Sequence, residues 1–321
     1  MTTSETHTSA SAVIRKSPDP VGKSTSFPAV SRTPSSPRGK PDFVLTLYCQ
    51  DRIGIVHAVS GFLVDNDCNI LDSAQFSERS TNTFFMRVAF SVEKAASHAA
   101  LKDGFAAIAD KFAMTWQLHD SKVKPRVLIM VSRFGHCMND LLFRYATGAL
   151  DVEIPAIVSN HRDFYRMAAS YDIPYHHLPV TPDTKSAQEA KLLELIESER
   201  IDLVILARYM QVLSNDLCNK LAGRAINIHH SFLPSFKGAK PYHQAHSRGV
   251  KLIGATAHYV TAELDEGPII EQDVARVDHD LEPDALAAIG RDVEALVLAR
   301  AVRLHVERKV LPNGNRTVVF R

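Results

Sequence analysis

The sequence Ala225-Ile-Asn-Ile-His-His-Ser-Phe-Leu-Pro-Ser-Phe-Lys-Gly238 opens with an alternating pattern that predicts a short β-strand, followed by a loop at its proline and glycine. Successive side chains of a strand point to opposite faces, so Asn227 and His229 share one face. The adjacent His230 falls on the other face. An amide and an imidazole are therefore expected in one pocket.

A second stretch, Leu252–Val260, also has the composition of a strand, and it leads into a turn at Glu263–Gly267 that contains Asp265. If the two strands are neighbours, Asp265 reaches His229. Such a trio suits acyl chemistry: the Asn227 amide donates to a developing oxyanion, the imidazole transfers or holds a proton, and the carboxylate favours its charged form. The alternative is that an Asn and a His only complete the hydrogen bonding of a buried strand end.

Strand-like and helix-like runs alternate ahead of that strand. The first, Arg126–Ser132, is almost continuously apolar, as expected for a strand buried on both faces of a parallel sheet. It is followed by helix-like Met138–Tyr145, strand-like Val152–Ser159, helix-like Phe164–Tyr171, strand-like Tyr175–Leu178, helix-like Ala187–Glu199, strand-like Leu203–Leu206, helix-like Asn215–Leu221 and strand-like Ala225–His229. This order predicts an α/β domain with a doubly wound, mostly parallel sheet. Its ligands are expected at the carboxyl ends of the strands, where Asn227 and His229 lie.

The sequence before Arg126 predicts a smaller α+β domain. Its runs have the order β-α-β-β-α-β: Phe43–Cys49, Ile55–Val64, Ile70–Ser77, Thr83–Val92, Ala95–Phe112 and Met114–His119. That order is typical of a ferredoxin-like antiparallel sheet with both helices on one face. We therefore predict a domain at 42–121, a linker at 122–125 and the doubly wound domain at 126–321. Within the latter, Glu282–Val306 predicts a long helix and Thr317–Phe320 a last strand.

The first 41 residues are rich in Ser, Thr and Pro and have little apolar periodicity. Such a segment does not bury enough surface to offset chain entropy, so we predict a disordered tail. Lys and Arg outnumber its two acids, Glu5 and Asp19, which leaves an organellar targeting segment as the alternative.

Composition excludes several classes of function. The formal net charge of +1 over 321 residues favours neither a nucleic acid nor an anionic membrane as partner, and no apolar run reaches the roughly 18 residues of a membrane helix. The four cysteines are scattered without a Cys-x-x-Cys pair, and no His-Glu-x-x-His occurs, so we predict reduced thiols, no metal and a cytoplasmic location. These cysteines are Cys49, Cys68, Cys137 and Cys218.

Two blocks, Ile226–Gly238 and Glu263–Ile270, resemble the signature of the folate-dependent formyltransferase superfamily. The resemblance implies that Asn227, His229 and Asp265 are the catalytic residues. It also implies that one apolar segment lines a pterin pocket, although core packing is the commoner fate of such residues. The members of that segment are Arg208, Tyr209, Met210, Gln211, Val212 and Leu213. Thr261 and Leu264 would complete the pocket, with Lys237 and His258 as further substrate-binding candidates.

The turn Ser132–Asn139 departs from one branch of that superfamily. Glycinamide ribonucleotide formyltransferases have a small, glycine-containing loop here that holds the phosphate of their substrate. This sequence has the bulky residues Arg133, Phe134 and His136 around a lone Gly135. We therefore expect that it does not bind that acceptor.

The segment Cys49–Leu63 resembles the start of an ACT domain, a regulatory module of metabolic enzymes. The resemblance implies pairing through the sheets, hence a homo-oligomer (a dimer or a dimer of dimers), and an amino-acid effector such as glycine or methionine. Asp51 and Gly54 lie in the first turn and are the candidate effector-binding residues, since glycine permits close backbone approach. Gly54 has an equally simple role as the cap of that turn.

An ACT-like domain joined to these blocks resembles the deformylating members of the superfamily. It implies hydrolysis of 10-formyltetrahydrofolate to formate and tetrahydrofolate, in one-carbon metabolism and purine synthesis, without any cofactor. Two alternatives stay open: formyl transfer to an amine acceptor, and an inactive amino-acid sensor. The sequence also leaves open whether His229 or Asp265 is the general base.

Overall fold

The computed structural model describes residues 39–93, 97–233 and 241–321. All but the last three residues of the predicted tail, and the candidate Lys237, lie outside these ranges. From Lys40 to Arg321 the chain forms one compact unit. Among the helices of the described ranges, none combines the length and the apolar composition needed to cross a membrane.

The amino-terminal domain contains a four-stranded antiparallel sheet with strand order β2-β3-β1-β4. Its elements are β1 (Phe43–Gln50), α1 (Ile55–Asp65), β2 (Cys68–Glu78), β3 (Thr83–Val92), α2 (His98–Phe112) and β4 (Thr115–Asp120). Side chains of β1 and β3, among them Leu45 and Phe90, pack with Val59 of α1 and Phe105 of α2 in one apolar cluster. The predicted ferredoxin-like ACT domain is confirmed.

The second domain is built on a seven-stranded sheet with strand order β11-β10-β9-β8-β5-β6-β7. Its elements are β5 (Arg126–Val131), α3 (His136–Ala146), β6 (Glu153–Ser159), α4 (Tyr165–Ala169), β7 (Tyr175–His177), α5 (Lys185–Ser198), β8 (Leu203–Leu206), α6 (Asn215–Lys220), β9 (Ala225–His229), α7 (Pro241–Ser247), β10 (Leu252–Tyr259), β11 (Ile269–Arg276) and α8 (Pro283–Val306). Strands β7, β6, β5, β8 and β9 are parallel, and β10 and β11 are antiparallel additions. The doubly wound, mostly parallel sheet is therefore confirmed.

Strand β5 shows why the apolar run at Arg126 is continuous. Val127, Ile129 and Val131 join the apolar cluster that contains residues of α3 and α8, whereas Leu128 and Met130 join the cluster that contains residues of α5 and α6. A strand with helices on both faces has no solvent face that would take polar residues.

The carboxyl terminus differs from the prediction of a single strand. It forms a hairpin of β12 (Val310–Asn313) and β13 (Arg316–Val319), which turns at Gly314 with a φ of 62°. Leu311 and Val318 pack against Phe85 on the sheet face opposite the two amino-terminal helices. The hairpin thus covers part of the second face of the amino-terminal sheet, where Phe85 and Ala89 of β3 are buried.

Candidate active site

The parallel sheet brings Asn227 and His229 to the carboxyl end of β9, next to the antiparallel strand β10. In that pairing Asn227 lies opposite His258, and His229 lies opposite Thr256. The register of β10 against β11 shifts between Ala257 and His258. Such a bulge re-aims side chains, and here it adjoins the histidine that contacts Asn227.

Asp265 lies within reach of His229, as the neighbouring strands required. Its Oδ2 is 3.2 Å from His229 Nδ1, and its Oδ1 is 3.7 Å from His258 Nε2. The Asp265 backbone is left-handed, with a φ of 57°, a conformation that Asp tolerates better than most residues. Strain of this kind is common at functional sites.

The turn that carries Asp265 is held close to β10 by a glycine. A Cβ on Gly267 would come within 1.7 Å of the Tyr259 carbonyl oxygen and 3.2 Å of His258 Nδ1. The Tyr259 N–H also donates to the Pro268 carbonyl at 2.9 Å. The close approach that glycine allows therefore fixes the distance between Asp265 and the histidines.

The pKa of Asp265 reflects two opposed effects. Burial raises this pKa, but the hydrogen bond from His229 and the charge of that imidazole lower it by more, so the pKa ends far below its usual value. The carboxylate is thus ionised at neutral pH. It stabilises positive charge on His229 and holds an accepted proton only weakly.

His258 orients the Asn227 amide. The Nδ1 of His258 lies 2.9 Å from the Tyr259 carbonyl oxygen, which can only accept, so the ring proton is at Nδ1. In the neutral ring Nε2 is then an acceptor, and Asn227 Nδ2 lies 3.3 Å from it. One N–H of the amide is engaged by His258, and the second is left for a bound group.

The other ring nitrogen of His229 is also available. His229 Nε2 is buried and has no hydrogen-bond partner among the described residues. A buried polar atom without a partner costs roughly 1–3 kcal/mol, so such atoms are uncommon outside functional sites. Asn227 and His229 therefore present two groups that a polar ligand atom would satisfy.

A cavity of about 260 Å³ opens beside these residues. Of the candidates that lie in described ranges, every predicted catalytic and substrate-binding residue lines it. They are Asn227, His229 and Asp265, with Arg208, Tyr209, Met210, Gln211, Val212, Leu213, His258, Thr261 and Leu264. The side chains of Met210, Val212 and Leu264 are 50%, 57% and 62% exposed. Exposed apolar side chains next to a few placed polar groups are typical of a site for a flat heterocycle.

The segment from Arg208 to Met210 is anchored to the turn after β5. The Met210 N–H donates to Ser132 Oγ at 2.9 Å, and the Ser132 hydroxyl donates to Asn160 Oδ1 at 2.7 Å. Tyr209 is buried, and burial raises its pKa to about 12. The backbone of the cavity wall is thus fixed before a ligand binds.

Arg208 is less exposed than a simple cavity-lining residue. The residue is 8% exposed and has a left-handed backbone with a φ of 64°. Its guanidinium carbon lies 5.3 Å from the Phe134 ring centroid. Its Nε is 3.4 Å from Oε2 of Glu294, a residue of α8 that is 1% exposed. The sequence-based role of Arg208 as a substrate ligand is thus joined by a structural one, the compensation of a buried carboxylate.

Glu294 was not recognised from the sequence, and it organises a buried network. It accepts hydrogen bonds from His136 Nε2 at 2.8 Å and from the Tyr242 hydroxyl at 2.6 Å. Burial raises the Glu294 pKa, while His136, Arg208 and Tyr242 lower it by more, so it stays ionised. The sequence did contain a signal for it. Glu294 lies four residues from both Gly290 and Leu298, so an acidic residue occurs on the face of the predicted long helix that packs in the core.

His136, Cys137 and Glu294 place potential metal ligands within 4.8 Å of one another. The Glu294 carboxylate is already compensated by Arg208, and burial raises the pKa of Cys137 well above its usual value. A neutral thiol is a poor metal ligand, and the guanidinium repels a cation. These contacts favour a structural network over a metal centre.

The two candidate effector residues lie apart from this cavity, at the start of α1. Gly54 caps that helix with a φ of 97°. Asp51 accepts a hydrogen bond from the Ser77 hydroxyl, and its N–H donates to the Asn82 carbonyl at 2.9 Å. A role in effector binding stays a prediction.

Comparisons with known proteins agree with this fold and site. A family model described as formyl transferase matches residues 125–302, and a model described as ACT domain matches residues 42–119. The chain is 54% identical over 279 residues to a formyltetrahydrofolate deformylase of Corynebacterium sp. (strain P-1), an alignment that covers 87% of this chain and 98% of that one. The sheet and its site thus define an ACT-linked protein of the formyl transferase class.

Solved structures narrow the class. The crystal structure of formyltetrahydrofolate deformylase from Burkholderia mallei has a TM-score of 0.84 and 54% identity, with 87% of this chain and 99% of that chain covered. Glycinamide ribonucleotide transformylase 1 from Symbiobacterium toebii gives 0.58 and 28%, with 62% of this chain and 95% of that chain covered. The chain belongs to the formyltetrahydrofolate deformylase family.

Proposed function

We propose that the protein hydrolyses 10-formyltetrahydrofolate to formate and tetrahydrofolate. The observation that carries the proposal is the convergence of Asn227, His229 and Asp265 on one largely apolar cavity, with an amide N–H and a buried ring nitrogen left for a ligand. Membership of a family whose relatives carry the deformylase name supports the same activity.

The residues support a hydrolytic mechanism. The formyl oxygen accepts hydrogen bonds from Asn227 Nδ2 and from protonated His229 at Nε2. Water attacks the formyl carbon, the carbonyl π pair moves to oxygen, and the same two donors stabilise the resulting oxyanion. The ionised Asp265 keeps His229 charged. The proton that the attacking water loses passes to the folate nitrogen. The oxyanion electron pair then re-forms the carbonyl, the C–N bond breaks, and tetrahydrofolate leaves with formic acid, which ionises to formate.

The turn after β5 supports water as the acceptor. The space that a phosphate-binding loop would occupy holds side chains engaged with the protein itself: Phe134 packs under Arg208, and His136 is hydrogen bonded to Glu294. A Cβ on Gly135 would lie 2.4 Å from the Phe164 ring, so the turn is also packed from behind. These contacts favour hydrolysis over transfer to a phosphorylated amine.

The test is turnover of 10-formyltetrahydrofolate by purified protein with no acceptor present, followed through tetrahydrofolate and formate. We expect stoichiometric release of both products. Loss of one oxyanion donor commonly costs about a hundredfold or more in kcat, so Asn227→Ala should be that much slower while it still binds folate. The exposed Asn219 gives the control variant Asn219→Ala, which should retain full activity.

Three outcomes separate the candidate functions. Products without an added amine support the hydrolase. Products only with an added amine, such as glycinamide ribonucleotide, would replace it by a transferase. If neither condition gives products although the protein still binds folate, an inactive sensor would be favoured.

We also propose that the enzyme is a cytoplasmic homo-oligomer, a dimer or a dimer of dimers, that acts in purine synthesis and responds to glycine or methionine. The amino-terminal domain exposes Ile53, Val56, Val64 and Phe76, an apolar set that suits pairing with a second copy. The four cysteines are buried and free, in keeping with a reducing compartment. Light scattering with and without each amino acid tests assembly and response.

A further inference from the structure

A second cavity, of about 470 Å³, lies between the amino-terminal sheet and the carboxyl-terminal part of the chain. Strands β1 and β4 form one wall, and the end of α8 and the hairpin β12–β13 form another. Its size falls in the range of small-molecule sites. Nothing in the catalytic scheme uses it.

The charged group of this cavity is Arg308, two residues beyond the end of α8. Arg308 is half-buried, and burial lowers its pKa, against weaker opposing effects of Asp202 and Tyr259. Within the described ranges, no carboxylate oxygen lies within 4.0 Å of its guanidinium, and the residues that line the cavity include no Asp or Glu.

Three other partly or fully buried arginines of the described ranges lie beside a carboxylate. Arg87 lies 2.7 Å from Asp72, Arg126 lies 2.6 Å from Glu153, and Arg208 lies 3.4 Å from Glu294. A half-buried guanidinium without such a partner carries a desolvation cost that a bound anion would offset. Arg308 therefore differs from these three. It also differs from Arg224, which lacks a carboxylate within 4.0 Å among the described residues but donates from Nη2 to the Ile201 carbonyl at 2.7 Å.

The other residues that line the cavity indicate what the uncharged part of that ligand is like. His305 Nδ1 lies 2.7 Å from the Tyr259 hydroxyl, and burial lowers the pKa of His305 to about 4, so this imidazole is neutral at pH 7. Leu47, Trp116 and Leu311 supply apolar surface. With one cation, neutral imidazoles and apolar walls, the cavity suits one negative charge on a compact apolar body. A free amino acid fits less well, because its ammonium group would meet no carboxylate.

We propose that this interdomain cavity binds a small monocarboxylate with a compact apolar body, held at Arg308. Tyr259, Val260 and Thr261 line it, and Val260 and Thr261 also line the folate cavity on the other side of the same strand end. The ligand thus contacts the end of the strand that carries His258. Binding itself does not depend on the proposed hydrolysis, and its measurement requires no turnover.

The single tryptophan of the chain, Trp116, lines this cavity and reports its occupancy by fluorescence. The probe is cyclohexanecarboxylate, which does not absorb where tryptophan is excited, and its uncharged match is cyclohexanecarboxamide. We expect a saturable change with the carboxylate and a response on the order of tenfold weaker with the amide. Equal binding of the two probes, or no saturable change with the carboxylate, would overturn the proposal.

Arg308→Gln should weaken carboxylate binding on the order of tenfold, and Arg308→Lys should retain most of it. The matched control is Arg200→Gln, because Arg200 also lies two residues beyond a helix, α5, and has a φ of 50° against 56° for Arg308, but its side chain is exposed. Undiminished binding by a folded Arg308→Gln variant would refute the role of the guanidinium. If that variant does not fold, the comparison of cyclohexanecarboxylate with cyclohexanecarboxamide on the parent protein tests whether the cavity requires a carboxylate.

A last titration identifies the source of the carboxylate. The folate substrate carries glutamate carboxylates of its own, and the two cavities share a wall. Strict competition between tetrahydrofolate and the probe would assign the cavity to the folate tail, whereas simultaneous binding would assign it to a separate small carboxylate. Strict competition would therefore overturn the proposal of a small monocarboxylate, and simultaneous binding would support it.

Discussion

Asp265 holds its Oδ2 3.2 Å from Nδ1 of His229, in a left-handed backbone conformation and next to a glycine that allows the approach. The contact uses one ring nitrogen of His229 and leaves Nε2 without a partner among the described residues. A carboxylate whose pKa is far below its usual value stabilises an imidazolium rather than removing its proton. The geometry supports the role proposed for His229, that of a charged donor to the substrate.

The first prediction concerns that charge. Asp265→Asn keeps the side-chain shape and tolerates the left-handed backbone, but it no longer stabilises the His229 imidazolium. We expect kcat to fall about a hundredfold or more with folate affinity nearly unchanged, since the amide removes electrostatic stabilisation of the transition state. Steady-state kinetics and a folate titration measure the two effects. Asp278→Asn, at an exposed position, is the control, and a loss of less than about threefold in Asp265→Asn would contradict the mechanism.

The second prediction concerns the approach of the Asp265 turn. Gly267→Ala would bring a Cβ within 1.7 Å of the Tyr259 carbonyl oxygen, so the turn must move. Because misplacement of a catalytic group by about 1 Å can cost on the order of a hundredfold, we expect kcat to drop by at least about tenfold. Gly61→Ala is the control, because nothing lies within 4 Å of the Cβ position on that helical glycine. Parent-like kinetics of Gly267→Ala would show that the turn is not fixed by this contact.

The third prediction concerns the buried network around Glu294. Glu294→Ala would leave the Arg208 charge unpaired and deprive His136 and the Tyr242 hydroxyl of their acceptor. We expect destabilisation of about 3–5 kcal/mol, the usual cost of removing one partner of a buried charged pair. Tyr242→Phe removes one hydrogen bond and should cost about 1–2 kcal/mol.

Urea unfolding followed by circular dichroism measures both changes. The control is Tyr165→Phe, at a tyrosine that is 59% exposed, and it should leave stability within about 0.5 kcal/mol of the parent. A Glu294→Ala variant as stable as the parent would show that the network contributes little to folding.

The sequence was sufficient for the fold class because its patterns are local. The apolar run at Arg126–Val131 and the alternation at Ala225–His229 both correspond to strands of the sheet, and both strands are buried on two faces. The convergence of Asn227, His229 and Asp265 on one cavity was predictable for a related reason. The spacing within β9 places two of the side chains on one face, and the resemblance supplied the distant Asp265.

The rest depended on contacts between segments far apart in sequence. Glu294 contacts Arg208 and His136 only because α8 packs beside them in the fold. His136 lies more than a hundred residues earlier in the sequence, so no local pattern links the two. The first strand of the hairpin, Val310–Asn313, was missed because its apolar residues pack against the amino-terminal sheet, and their pattern does not show which face they cover. The cavity at Arg308 arises from the same packing.

The last prediction concerns three partly buried histidines and the acid stability of the protein. Burial lowers the pKa of His119 to about 3 and the pKa values of His230 and His305 to about 4, from an ordinary value of 6.5, and positive charge on Arg308 adds to the effect at His119 and His305. The unfolded chain therefore binds more protons than the folded chain between about pH 6.5 and pH 4. The stabilisation is complete above pH 6.5 and is lost as the pH falls through that window.

At about pH 5 each such histidine costs roughly 1–2 kcal/mol of folding free energy relative to neutral pH. We expect urea unfolding to show a marked loss of stability between about pH 7 and pH 5. His119→Gln should reduce that loss by roughly 1–2 kcal/mol, the contribution of one histidine. The exposed His57 on α1 gives the control, and His57→Gln should leave the pH dependence unchanged. If His119→Gln loses as much stability on acidification as the parent, His119 is not the buried neutral base that its position between the two domains requires.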